Sequence, residues 1–304
     1  MRDPQPVPQL ESTLKSLDTE EFVDIYFYRP IGYQWALVFN RWGVSPNSVT
    51  IASIFLGIAA GVCFSFQNVV INIIGILLLM WANMYDSADG QLARMTGQQT
   101  DWGRILDGTA GDIWFFAIYV GICVRLTPEW GIWIWLFAIT TGIFHSKQAA
   151  MADYYRNIHL FFLKGESGSE LSHSSRLKGN YEKMSWKRDF VYKLFEAFYI
   201  NYTVGQETLT PKFQRMMGIL HEKYAGRVPE WFRIEFRQKS LPLMKYTNML
   251  SFNTRVFVLF VSLLVNIPWF YFVFEMTVLN LMLMYMVRRH ECMCESLSEK
   301  LWAR

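Results

Sequence analysis

The chain has 304 residues and a formal net charge of +3; 52% of its residues are hydrophobic, 17% aromatic and only 18% charged. So apolar a chain needs lipid over part of its surface, which excludes an ordinary water-soluble composition, while a mean hydropathy of +0.14 excludes a chain lying wholly in the membrane. The charges must be segregated, and nothing in their number or pattern points to nucleic acid as a partner.

From the N-terminus, Arg2, Asp3, Glu11, Lys15, Asp18, Glu20 and Glu21 make the opening polar and acidic where a secretory signal needs an apolar core. The first apolar span is therefore expected to stay as a helix. Residues 31–44 place Trp35, Val38, Phe39 and Trp42 at helical spacing beside Arg29 and Arg41, which predicts an amphipathic helix at the membrane surface.

Crossing about 30 Å of hydrocarbon takes about 20 apolar residues as helix. Six windows qualify: 50–66, 69–85, 113–126 extended back to 103, 130–151, 256–268 and 269–287. A short turn at 127–129 is expected between the third and fourth, and Pro268, which removes a backbone donor, divides the last pair. The chain then reads as an all-α polytopic membrane protein. Its parts are a juxtamembrane segment at 1–49, four spans in 50–152, a helical insert at 153–252, and two spans with a tail in 253–304. Arg29, Arg41, Arg94, Arg104, the insert, Arg288 and Arg289 fall on one side and only Arg125 on the other, so both termini and the insert are expected to face the cytoplasm.

The insert mixes Trp186, Phe190, Phe195, Trp231 and Phe232 with Lys and Arg, which favours helices lying partly in the interface over a separate soluble domain. The Ser- and Gly-rich stretch 165–180 reads as a mobile loop. Four cysteines give no disulfide framework: Cys63 and Cys123 read as core, and Cys292 and Cys294 are too close for an easy bridge. No second ligand pair accompanies Cys292, Cys294 and His290, so no metal is expected there. His173, His221 and His290 read as surface residues.

An ionised carboxylate near hydrocarbon is expensive, so acids at the ends of apolar spans are functional candidates. Asp86, Asp89, Asp107 and Asp112 stand close together between the second and third spans. On a helix Asp86, Asp89 and Ala93 share a face, and Gly90 and Ala93 leave room for a bulky ligand. Bare carboxylates would repel a polyanion, whereas a divalent cation held between them would bridge to phosphate oxygens. Arg94 and Arg104 would add positive charge where negative charge accumulates during phosphoryl transfer.

The segment 86–112 resembles the signature of the CDP-alcohol phosphotransferase family: Asp, two residues, Asp-Gly, two residues, Ala-Arg, about eight residues, Gly, three residues, Asp, three residues, Asp. Asp86, Asp89, Gly90, Ala93, Arg94, Gly103 and Asp107 match it in identity and spacing, and the Pro46-Asn47-Ser48-Val49-Thr50 run is similar to the family's opening before the first span. The resemblance covers the membrane core and not the insert. It implies six spans with both ends inside, and two Mg²⁺ or Mn²⁺ ions on Asp86, Asp89, Asp107 and a fourth aspartate that also serves as catalytic base. It further implies nucleotide binding by Asn47, Thr50, Gly90, Ala93, Arg94 and Gly103. The reaction implied is transfer of a substituted phosphate from a CDP-linked lipid or head-group donor to an alcohol, releasing CMP. The setting implied is a membrane, the bacterial inner membrane being favoured, with the active site on its cytoplasmic face, and homodimers.

One departure stands out, because the pattern puts the fourth aspartate at 111, where the chain has Gly111 and then Asp112. In a regular helix Asp112 lies about 140° around from Asp107, against about 40° for the usual spacing. Three alternatives follow: a π-bulge that restores the common face, a base from elsewhere, or loss of the role. The bulge is favoured, since Gly108 and Gly111 would ease it.

Lys147, Arg255 and Arg288 are candidate contacts for the acceptor, weighed against plain topological flanking charge. Trp81 and Tyr85 read as bundle packing. CDP-diacylglycerol is the favoured donor and a CDP-aminoalcohol the other, while the insert leaves room for an unusual acceptor such as a sphingoid lipid or an inositol phosphate. The competing class is a non-catalytic nucleotide- or lipid-binding relative that scaffolds partners. An intramembrane prenyltransferase would need a differently spaced aspartate run than Asn83, Asp86 and Asp89 provide.

Overall fold

The computed structural model describes residues 16, 18–165 and 169–303. Residues 1–15, which carry most of the reading of the leader, and 166–168 of the expected loop lie outside them. The described residues are helical and contain no strand. They form two compact units, Met1–Gly142 with Arg255–Glu275, and Ile143–Thr254 with Met276–Arg304.

In the first unit a π-helical turn, Asp24–Tyr28, leads into α1 (Arg29–Trp42), which ends at left-handed Gly43. Helix α2 (Pro46–Phe64) starts where the Ser45 side chain accepts from the Ser48 amide at 3.2 Å. Asn68 likewise caps α3 (Val69–Thr96), and left-handed Gly97 ends it. Thr100 then caps α4 (Asp101–Trp130) by accepting from the Gly103 amide at 3.0 Å. Such caps satisfy the amides that a helix start leaves without partners, so each boundary follows from its sequence.

Helix α2 packs against both α3 and α4. The α2–α4 contact depends on small residues: a Cβ on Gly121 would lie 2.1 Å from the Gly61 carbonyl oxygen, and one on Gly57 would lie 2.0 Å from the Trp114 ring. On the other flank of α3, the ring of Tyr85 sits 5.4 Å from that of Trp35 and 5.3 Å from that of Phe39, and Trp81 sits 5.9 Å from Trp35. Trp81 and Tyr85 therefore pack against α1.

The first unit closes with most of α10 (Phe252–Leu264) and with α11 (Trp269–Phe274), divided by Asn266 at φ 60°. Arg125 donates to the Asn266 side chain at 2.5 Å. Deep in this unit the Arg255 guanidinium pairs with Glu275 at 2.7 Å, and the hydroxyls of Tyr271, at 2.7 Å, and Tyr119 also donate to that carboxylate. The buried acid is thereby neutralised and satisfied.

In the second unit the later part of α5 (Trp133–Lys164) touches α7 (Phe190–Thr208), α8 (Pro211–Tyr224), α9 (Glu230–Met249) and α12 (Asn280–Ala303), α6 (Ser174–Lys183) packs on α7, and α12 follows the π-helical turn Glu275–Leu279. Cross-links within it include Arg156 to Asn248 at 3.0 Å and Gln206 to the Ala150 carbonyl at 2.8 Å.

The structure corrects several expectations. Helix α4 runs through Pro128 to Trp130, and the reversal comes at Gly131, φ 56°, instead of 127–129. The expected mobile loop includes the first seven residues of α6, whose opening residue Ser174 is held by Glu207 through its amide at 2.9 Å and its hydroxyl at 2.5 Å. His290 is buried, not at the surface. Of the six expected spans, the described residues show five helical stretches long and apolar enough to cross a membrane: Pro46–Phe64, Val69–Thr96, Trp102–Trp130, Glu230–Leu264 and Trp269–Ala303. Helix α5 is not among them, because its apolar opening gives way to Thr140, Thr141, His145, Ser146, Lys147 and Gln148. The outward faces of these stretches carry Phe55, Val62 and Phe116 in exposed positions, as a multi-pass membrane protein requires.

Candidate metal centre

The turn from Gly97 to Thr100 folds α4 back along α3. Asp89 lies seven residues before Thr96, and Asp107 lies six after Asp101. At about 1.5 Å per residue both stand about 10 Å from the turn, so the hairpin sets them at one depth. Asp86 sits one helical turn before Asp89 on the same face. One carboxylate oxygen from each of Asp86, Asp89 and Asp107 lies within 4.8 Å of the other two.

Asp89 is 2% exposed, Asp86 half-buried and Asp107 exposed, so the cluster opens on the Asp107 side. The Thr50 hydroxyl in the first turn of α2 donates to Asp89 Oδ2 at 2.5 Å and fixes its orientation. At that spacing each pair of ionised carboxylates repels by about 3 kcal/mol at an effective dielectric near 20. The charges of Arg29 and Arg94 reach the cluster and offset part of this. Three hard anionic oxygens around one point are a donor set for a hard divalent cation, and the residues present fit such an ion.

Around the cluster lie the other residues singled out in the sequence. Nε and Nη2 of Arg94 are buried without a hydrogen-bond partner, which leaves donors for an anion. The Arg94 guanidinium lies over Gly90, where a Cβ would stand in van der Waals contact 3.5 Å from Nη1. A Cβ on Gly103 would fall 2.8 Å from Asn47 Oδ1, so the start of α2 sits directly against the start of α4. Asn47, Thr50, Gly103 and the three aspartates are thus gathered at one end of the three-helix core, with half-buried Ala93 a turn beyond Asp89.

Asp112 is not in this group. Helix α4 is α-helical throughout, without the expected π-bulge, and regular geometry carries the exposed Asp112 about 140° around from Asp107. Arg255 is buried in its pair with Glu275 and so is withdrawn from any acceptor. Lys147 and Arg288 are exposed and belong to the other unit. Two features escaped the sequence reading. Arg29 was read as a flanking charge, yet it acts on Asp86, and its carbonyl accepts from Gln91 of α3 at 3.1 Å. Thr50, expected at the nucleotide, lies one turn into α2, and a hydroxyl near the start of an apolar helix is the only sequence signal for contact with an acid.

Residues 43–158 match the family described as CDP-alcohol phosphatidyltransferase. The archaetidylinositol phosphate synthase of Pyrococcus horikoshii is 32% identical over 90 residues, covering 30% of this chain and 46% of that protein. An uncharacterized protein of Aquifex aeolicus is 38% identical over 72 residues, covering 23% of this chain and 35% of that protein. The chain spans less than half the length of these curated relatives.

Proposed function

Carrying a CDP-alcohol phosphatidyltransferase domain at residues 43–158, the chain, we propose, transfers a substituted phosphate from a CDP-linked donor to an alcohol and releases CMP. The observation behind this reading is the convergence of Asp86, Asp89 and Asp107 beside Arg94, whose buried Nε and Nη2 have no hydrogen-bond partner. Asp86, Asp89 and Asp107 would hold Mg²⁺ or Mn²⁺, which when bound neutralises phosphate charge and polarises the phosphoryl oxygens. Two ions are proposed from the family resemblance.

The chain's own groups then act as follows. Thr50 holds Asp89, Arg94 binds a diphosphate oxygen, and Asn47, Gly90, Ala93 and Gly103 are proposed, from the family resemblance, to receive the cytidine diphosphate. The acceptor oxygen bonds to the distal phosphorus, the bond from that phosphorus to the bridging oxygen breaks, and CMP leaves with the electron pair. The acceptor proton is assigned to Asp107, the exposed member of the trio, rather than to Asp112.

CDP-diacylglycerol is proposed as donor. The Pyrococcus relative is named for making archaetidylinositol phosphate, and an inositol phosphate is accordingly proposed as acceptor. The setting proposed is a bacterial inner membrane, crossed six times as the family resemblance implies, with the site on the cytoplasmic face. There α1 and part of the insert lie in the interface and the chains pair as homodimers. Exposed Phe190, Leu194 and Phe198 on one side of α7 support the interfacial placement.

The test incubates purified protein with Mg²⁺, labelled CDP-diacylglycerol or CDP-ethanolamine, and a panel of acceptors that includes inositol phosphate. CMP and the lipid product are identified by mass. Release of CMP with formation of a phospholipid is expected. No release from any CDP donor would leave the non-catalytic binding reading, which the displaced Asp112 favours.

A further inference from the structure

We propose a second metal site, unconnected with the aspartate cluster, in which Tyr155, His290, Glu291 and Cys294 hold a Zn²⁺-like transition metal ion. All four residues belong to the unit Ile143–Thr254 with Met276–Arg304. His290 and Cys294 stand one turn apart on a single face of α12, with Nδ1 and Sγ separated by 3.6 Å. Bond lengths of about 2.0–2.1 Å to nitrogen and about 2.3 Å to sulfur give a tetrahedral edge of about 3.5 Å between such ligands. The Glu291 carboxylate completes a group whose three ligand atoms lie within 4.8 Å of one another, all from buried residues.

Glu291 is held in place by two amides at the start of α8, Lys212 at 2.6 Å and Phe213 at 3.2 Å. Each carboxylate oxygen keeps a further lone pair, and such bonds orient a ligating carboxylate. The independent observation is Tyr155. It is 1% exposed, its hydroxyl is buried without a hydrogen-bond partner, and its ring lies 4.5 Å from that of His290. A thiol-to-imidazole hydrogen bond accounts for His290 and Cys294 but leaves the Tyr155 hydroxyl unexplained. A cation at the centre accounts for the three clustered ligand atoms and would give the Tyr155 hydroxyl a partner. Phe213 and Phe236 wall the group at 5.9 and 6.4 Å from the His290 ring and keep it dry. One nitrogen, one sulfur and two oxygens select a borderline ion over Mg²⁺, and four protein ligands make a closed, structural site that ties α5, α8 and α12 together.

The test titrates Co²⁺ into metal-stripped protein in detergent and follows thiolate-to-cobalt charge-transfer absorption, with a metal count. About one thiolate-bound Co²⁺ per chain is expected, displaced by Zn²⁺. The band should persist in Asp89→Asn, which separates this site from the proposed transferase centre, and in Cys292→Ser, which alters the exposed cysteine. It should vanish in Cys294→Ser with circular dichroism unchanged, and Tyr155→Phe should weaken Co²⁺ binding about tenfold. No thiolate band in the wild-type protein, or a band that survives Cys294→Ser, would overturn the site.

Discussion

The Thr50 hydroxyl meets the Asp89 carboxylate at 2.5 Å, joining the first turn of α2 to a buried acid 39 residues further along the chain. This bond aims one carboxylate of the cluster, and its loss leaves a buried acceptor without its donor. Thr50→Val should raise the Mg²⁺ concentration for half-maximal CMP release about tenfold, the effect of roughly 1.4 kcal/mol, and Thr50→Ser should restore it. A Mg²⁺ titration of each variant is the check.

Arg94 has two buried nitrogens without partners, and an anion would satisfy both. Arg94→Gln should raise KM for the CDP donor about 10- to 100-fold, matching about 1.5–3 kcal/mol for a bond to a charged group. The loss should fall on KM more than on thermal stability in detergent, because the two buried nitrogens have no hydrogen-bond partner in the protein. A fall in Tm with KM unchanged would assign Arg94 to the fold.

Asp89→Asn and Asp112→Asn should separate sharply. The first removes a ligand from the cluster and should lower kcat/KM by more than about 100-fold. The second alters a residue turned about 140° away and should cost less than about tenfold. Parallel turnover assays decide, and a loss of about 100-fold or more in Asp112→Asn would return the base role to Asp112.

Much of this was legible in the sequence. Motif spacing grouped Asp86, Asp89 and Asp107 because helix periodicity and hairpin depth are local properties, and the caps at Ser45, Asn68 and Thr100 mark the boundaries that bring them together. What escaped depends on tertiary contact. Arg255 carries the same sequence signal whether it flanks a span or pairs with Glu275, and only packing distinguishes the two. Asp112 depends on whether a helix bulges, which Gly108 and Gly111 permit without requiring it. His290 lay in a polar run that gave no sign of being folded inward by the insert.

The contact between α2 and α4 has no room for side chains at Gly61 and Gly121. Gly121→Val should lower stability by at least about 1–3 kcal/mol through overpacking. Gly111→Ala, where an added Cβ meets nothing within 4 Å, should leave stability equal or slightly higher. Thermal unfolding of the two variants in detergent compares them directly.

The Arg255–Glu275 pair is wholly buried. Removing one partner strands a charge, so Arg255→Met should cost about 3–5 kcal/mol, whereas the double variant Arg255→Met with Glu275→Leu should recover only part of it, since the Tyr119 and Tyr271 hydroxyls then lose their acceptor. Additive losses in the double-mutant cycle would show that the two residues act separately.

Dependence on a divalent ion is the most direct test of the aspartate centre. CMP release from labelled CDP-diacylglycerol should stop when a chelator strips the purified enzyme, return on adding Mg²⁺ or Mn²⁺, and fail to return in Asp89→Asn. Turnover that persists in the chelator would contradict the assignment of Asp86, Asp89 and Asp107 as the ion-binding core of a transferase.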